Sequence, residues 1–146
     1  RRLPREGLGS RAAVNNYPWL EAFLLALPGV TRDYKPEWGF MNYRAARRLF
    51  AVTCTPDARY KRCGGRELVT LRCDERFGDA LKAQYADIID GFYSDRRYWI
   101  SVFLDSEEVP PELLRHLCEN AHAEILRRAP KRVREALKGE GGNENL

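Results

Sequence analysis

Apolar residues recur at helical spacing in three stretches of this chain and alternate in strand fashion in five others. Leu20, Phe23, Leu24 and Leu27 stand at i, i+3, i+4 and i+7, the stripe of an amphipathic helix. Asn16-Tyr17-Pro18 supplies its start signal and Pro28-Gly29 its stop. The period then changes to two. After an extended lead-in at 31–36, strands are predicted near Trp38–Arg44 and Leu49–Cys54, joined by Ala45-Ala46-Arg47-Arg48 as a hairpin with a basic tip. Thr55–Gly65 has the Pro, Asp and Gly content of a loop, and Glu67–Cys73 is a further strand. Asp74-Glu75 opens a second helix on Phe77, Leu81 and Tyr85, Ile88–Tyr93 returns to strand, and Pro110-Pro111-Glu112 opens a third helix that ends at Pro130.

The stretch Ser94–Asp105 organises the rest. Ile100, Val102 and Leu104 alternate with Trp99, Ser101 and Phe103, so a strand here puts its aliphatic set against covering helices. Trp99 and Phe103 then lie on an open face, or are core beneath a second layer. Arg72 shares that face with Trp99. The predicted fold class is α+β, a two-layer sandwich in the order α-β(3)-α-β(2)-α, with a mainly antiparallel sheet and one open sheet face. Residues 1–15 are a basic segment expected to be mobile, 16–134 form a single domain, and 135–146 are expected as a flexible tail.

At 146 residues the chain is long enough to bury roughly 70% of its unfolded surface without a metal or disulfide. Its apolar runs are too short for a bilayer, and residues 1–16 lack the apolar core of a signal peptide. The four cysteines show no C-x-x-C spacing; Cys54, Cys73 and Cys118 fall on apolar faces, and only Cys63, in a basic loop, is expected to be exposed. No metal site or cofactor is expected, and reduced thiols suit a cytoplasmic location. Phosphate-binding and nucleophile-elbow motifs are absent, and His116 and His122 on one helix are expected to be solvated or capping, so no enzymatic activity is predicted.

Charge changes the picture more. The net charge is +4, yet 32–48, 57–72 and 127–138 are basic while 74–90 and 105–124 are acidic. A polarised molecule attracts polyanions on its basic side. The candidate phosphate contacts are Arg47 and Arg48 at the hairpin tip, Arg59, Lys61 and Arg62 in the following loop, Arg72 on its strand, and Arg96 and Arg97 in the last turn, with Trp99 placed to stack on a base. The same charges also serve as ordinary solubilising loop residues. The second expected class of partner is protein: a homodimer or peptide held on the open face by Trp99, Phe103, Leu68 and Thr70.

Six motifs in order carry a family likeness: Leu27-Pro28-Gly29-Val30, Leu49-Phe50-Ala51, Val69 through Asp74, Arg96-Arg97-Tyr98-Trp99 running into Val102–Asp105, Pro110, and Pro130-Lys131. With these, residues 17–134 resemble the MmcQ/YjbR family. The resemblance implies a compact fold like that of frataxin (CyaY) and secretion chaperones, and a proposed double-wing DNA-binding role. Weakly sequence-specific binding of DNA, or of RNA, is the expected function. One departure stands out, since the family usually has a glycine-lysine turn where this chain has Ala46-Arg47-Arg48.

Overall fold

The computed structural model describes residues 14–144, with side chains through Leu137. Ten elements follow in order: α1 (Leu20–Ala26), β1 (Val30–Lys35), β2 (Phe40–Ala45), β3 (Arg48–Cys54), β4 (Leu68–Arg72), α2 (Glu75–Gln84), β5 (Ile88–Asp90), β6 (Trp99–Phe103), α3 (Pro111–Arg127) and α4 (Lys131–Glu144). The six strands form one antiparallel sheet in the order β1-β2-β3-β4-β6-β5. Helix α1 packs on β1, α2 on β5 and β6, and α3 across β3 and β4. The two-layer α+β architecture expected from the sequence is present, with one more strand and one more helix.

The core forms where the strand and helix periods meet. Val69, Leu71, Ile100, Val102, Ile88 and Ala51 face the helices, and Leu114, Leu117, Cys118, Ala121 and Ile125 of α3 come down on them. Each large aliphatic side chain buried there contributes about 1.5–3 kcal/mol. Helix α2 begins where a carboxylate is favoured: the Asp74 side chain accepts the Phe77 N–H at 3.1 Å. Asn16 caps no helix. Its amide reaches the Ser106 carbonyl at 2.9 Å, and the Tyr17 hydroxyl donates to the Val109 carbonyl at 2.7 Å, tying the start of the domain to the segment before α3.

Two backbone features shape the β2–β3 hairpin. Its register slips between Tyr43 and Arg44, so that Tyr43 pairs with Ala51 but Arg44 with Leu49. Phe50 is the extra residue of this bulge, and it joins Ala51 in the core, its ring 5.5 Å from that of His122. At the tip, Ala45 pairs with Arg48 across a two-residue turn in which Ala46 and Arg47 both have positive φ, 52° and 65°. That is the twist a tight hairpin demands, reached without glycine.

Three expectations need correction. The lead-in at 31–36 is the edge strand β1, paired along its length with β2. Strand β5 stops at Asp90 instead of reaching Tyr93, because the chain passes so close to β6 that a Cβ on Gly91 would lie 2.5 Å from the Trp99 Cβ. Where 135–146 was expected as a tail, helix α4 extends to Glu144. Val133 and Leu137 stand one turn apart on it, and Leu137 fits the notch at Gly29, where a side chain would collide with it. The expected N-terminal segment 1–15 lies outside the described residues up to residue 13.

Candidate nucleic-acid interface

The antiparallel register decides which charges meet. Arg72 pairs with Trp99, Ala51 with Leu71 and Asp90 with Ile100, so the β2–β3 turn, the end of β4 and the β5–β6 connection all lie at one end of the sheet. Arg47, Arg48, Arg72, Arg96 and Arg97 are therefore brought together at that end. Helix α3 runs back toward the same end and adds Arg127 and Arg128. Burial first, and then the like charge of Arg128, pull the Arg72 guanidinium below its ordinary pKa. Glu67, Asp87, Asp105, Glu107, Glu108 and Glu112 lie toward the opposite end together with Arg66, while Asp74, Glu75, Asp95 and Glu124 lie at the cationic end.

The cations at this end differ in freedom. Arg97 is committed to Asp95, with Nε–Oδ1 at 3.1 Å and Nη2–Oδ2 at 2.8 Å, and those bonds hold the Asp95 carboxyl down to about 2. Arg127 and Arg128 both bond the buried Glu124 carboxylate. Arg72 lies over the rings of Tyr98 and Trp99, at 5.1 and 5.7 Å from their centroids. Arg47, Arg48 and Arg96 are exposed and have no ion-pair partner among the described residues.

Arg59, Lys61 and Arg62 belong to a loop that leaves the opposite end of β3 and folds across the helix-free face of the sheet. Tyr60 of this loop meets Phe92 edge-on at 5.0 Å, and Arg59 stacks over Tyr60 at 5.1 Å. Arg62 and Arg96 converge on Asp90. A 2.6 Å hydrogen bond from Lys82 is the main cause of that carboxyl's lowered pKa, and Arg96 and Arg62 add to it. The nine candidate residues thus form two groups, Arg47, Arg48, Arg72, Arg96, Arg97 and Trp99 on the rim and Arg59, Lys61 and Arg62 on the loop, with Asp90 between Arg62 and Arg96.

The family model for YjbR matches residues 25–124, two thirds of the chain. The chain belongs to the YjbR family. Its fold is similar to that of the Deinococcus radiodurans protein DR2400, which carries a DUF419 domain: TM-score 0.70 at 20% identity, over 86% of this chain and 89% of the other. A Pseudomonas syringae protein is similar at TM-score 0.63 and 13% identity, over 74% of this chain and 97% of that one. No curated protein matches the sequence significantly.

In this YjbR-family chain the helix-free face bears no helix but is not bare. Of the two readings of Phe103, core beneath a second layer holds: it is only 2% exposed, and with Leu68 and Thr70, expected on an open partner face, it is buried beneath Phe92, Tyr60 and Cys63. The cause is the loop after Gly91, which turns over the sheet: the Phe92 N–H donates to the Ser101 hydroxyl at 2.8 Å, and Ser101 shares a 2.6 Å hydrogen bond with Thr70. Cys63 is likewise buried, at 6% exposure, and burial pushes its thiol up against the opposing pull of Arg62 and Arg66. His122 is buried, not solvated, with Nε2 2.8 Å from the Pro28 carbonyl just beyond α1; desolvation lowers its pKa. Trp99 is half-buried beside Arg72.

Several functional-looking residues of the family member escaped sequence reasoning. Arg66 bonds Asp105 at 3.0 and 2.6 Å and Asp87 at 3.3 Å, with its guanidinium 3.6 Å over the Phe103 ring. Nothing in Gly65-Arg66-Glu67 signals that clamp. Arg127 and Arg128 were visible as part of a basic run, but their position beside Arg72 needed the course of α3. Trp38 and Tyr93, both strongly exposed, carried a faint signal in the turn formers around them. Among the described residues no group of three or more His, Cys, Asp or Glu is arranged to hold a metal ion, and no helix is long and apolar enough to cross a membrane.

Proposed function

We propose that this chain binds nucleic acid at its cationic end, without catalysis and with little sequence preference. The observation that carries this reading is the convergence of Arg47, Arg48, Arg72, Arg96 and Arg128 at one end of the sheet, where Arg47, Arg48 and Arg96 have no ion-pair partner among the described residues. Arginine suits phosphate because its planar fork donates in pairs. The β2–β3 turn and the β5–β6 connection extend from paired strands, and Arg72 at the end of β4 lies between them. The candidate contacts lie in turns, at a strand end and at the C-terminus of α3, so phosphate contacts dominate.

If about four arginines neutralise phosphates, affinity for duplex DNA falls with a log–log salt slope of about −3.6, or roughly 150-fold between 50 and 200 mM salt. The test is titration of a labelled 12-bp duplex at those two concentrations with the native chain and with Arg47→Glu, Arg48→Glu. The charge-reversed variant is expected to lose most of the binding. Absence of binding at 50 mM salt refutes the proposal.

A further inference from the structure

The roof over the helix-free face leaves one part of it open, and that part is lined with rings. Trp38 comes from the β1–β2 turn, Phe40 from the start of β2, Tyr60 from the loop after β3, and Phe92 and Tyr93 from the turn after β5. Phe40 lies 6.0 Å from Trp38, 6.1 Å from Tyr93 and 6.4 Å from Phe92. Two clefts share Trp38, Phe40, Phe92 and Tyr93 as walls. One, of about 240 Å³, also has Lys35, Asn42, Arg44 and Thr70; the other, of about 210 Å³, also has Arg59 and Tyr60.

The outer rings are held in water. Trp38 is 63% exposed, displayed by a turn in which the Trp38 and Gly39 N–H groups both donate to the Lys35 carbonyl and Gly39 takes φ +68°. Tyr93 is 73% exposed on a backbone with φ 58°, a left-handed conformation that costs a bulky residue roughly 1–2 kcal/mol. Two exposed aromatics flanking a half-buried third form a platform that offers ring faces. The groove is nearly balanced in charge, because Asp33 accepts from Arg44 at 3.2 Å and lies 3.6 Å from Lys35, while Glu37 and Asp57 line the second cleft with Arg59. What it offers is stacking, with the Asn42 amide and Thr70 hydroxyl on its floor. A roomier cleft of about 560 Å³ between α3 and α4 offers no aromatic face.

We propose that this groove takes an unpaired nucleobase of single-stranded nucleic acid, stacked on the exposed faces of Trp38 and Tyr93. The inference rests on the nucleic-acid reading above and names the form of ligand. Its warrant is that a paired base has its faces covered by its neighbours, so only an unpaired one can stack on a protein ring. The groove also lies beside the cationic rim. Its wall residues Phe92, Tyr93 and Ser94 run directly into Arg96 and Arg97, Arg59 lines its second cleft, and Arg62 lines a neighbouring cleft that shares Phe92 and Tyr93. A strand whose phosphates are gripped by the rim passes the groove within a few residues, while a duplex gripped there keeps its bases stacked out of reach.

The test compares a labelled 12-nucleotide oligothymidylate with the 12-bp duplex at 50 mM salt, using the native chain, Trp38→Ala, Tyr93→Ala together, and Arg47→Glu, Arg48→Glu together. Both rings are largely exposed, so their removal leaves the core intact, which thermal unfolding checks. Losing the rings is expected to weaken oligothymidylate binding about 5- to 150-fold while leaving duplex binding unchanged. Reversing the rim charges is expected to weaken both. In a Trp19→Phe, Trp99→Phe background the oligothymidylate is expected to quench the remaining Trp38 fluorescence. Equal loss for both probes, no loss for either, or ring-dependent self-association in place of oligonucleotide binding overturns the inference and leaves the rim reading standing. If the native chain binds neither probe, both fall.

Discussion

Replacing Ala46 by glycine at the tip of the β2–β3 hairpin should make the protein more stable, which is unusual for a substitution that removes a side chain. Ala46 has φ 52° and its neighbour Arg47 has φ 65°. A left-handed conformation costs an L-residue with a Cβ roughly 1–2 kcal/mol, and glycine adopts it freely. Against that relief stands the greater backbone freedom that glycine brings to the unfolded chain, about 0.5–1 kcal/mol. The balance is a gain of about 0.5–1 kcal/mol. For a chain of this size that corresponds to a rise of roughly 1–4 °C in Tm. Urea denaturation followed by circular dichroism measures it, with an unchanged slope showing that the midpoint shift is a change in stability and not in the surface exposed on unfolding. Ala46→Val serves as the opposite arm, because a β-branched residue tolerates left-handed φ worst, and it should destabilise by at least as much. If Ala46→Gly lowers the urea midpoint, the turn does not have the tight two-residue form described, and the position of Arg47 and Arg48 on the rim loses its basis. The same pair of variants also asks whether this turn needs a glycine. Nucleic-acid affinity of Ala46→Gly should match that of the native chain.

Further outcomes follow from the same structure. Arg66→Ala should cost about 1–2 kcal/mol by urea denaturation, discounted for partial exposure, since it removes the bonds to Asp105 and Asp87 and the cover on Phe103 while leaving duplex binding intact. His122 is neutralised by burial, so between its lowered folded pKa and its ordinary value of 6.5 the unfolded chain binds more protons than the folded one. Stability should therefore be full above about pH 6.5 and fall as pH drops below it, by at most about 1.4 kcal/mol per pH unit, and His122→Gln should flatten that slope. Titration with a thiol reagent should find Cys54, Cys63, Cys73 and Cys118 slow to react in the native chain and fast in urea, because all four are buried and burial pushes three of them to about 12.

The helical stripes and strand alternations were legible because they depend on neighbours in sequence. Leu20 through Leu27, Val69 through Cys73 and Ile100 through Leu104 each bury the face their spacing marks. What failed to show depends on contacts remote in sequence. Phe103 alternates as a solvent-facing residue should, yet Phe92 and Cys63 come from two different loops to cover it. Cys63 sits among cations in the sequence, but its loop folds inward. The α4 segment reads as a charged tail until Leu137 has Gly29 to pack against. For the candidate site, the arginines were visible one by one; that Arg62 and Arg96 both act on Asp90, and Arg128 on Arg72, follows from strand order and from the return of α3.

The extra residue at Phe50 has a use beyond filling the core. It acts as a phase adapter between two parts of one hairpin: on the sheet side Tyr43 and Ala51 keep step with β4, while on the tip side Arg44 and Leu49 alternate on their own count. Exchanging Ala46, Arg47 and Arg48 therefore changes the tip while Ala45, Phe50 and Ala51 keep their places in the core. Selection can retool the tip for a new partner while the sheet beneath it stays as it is.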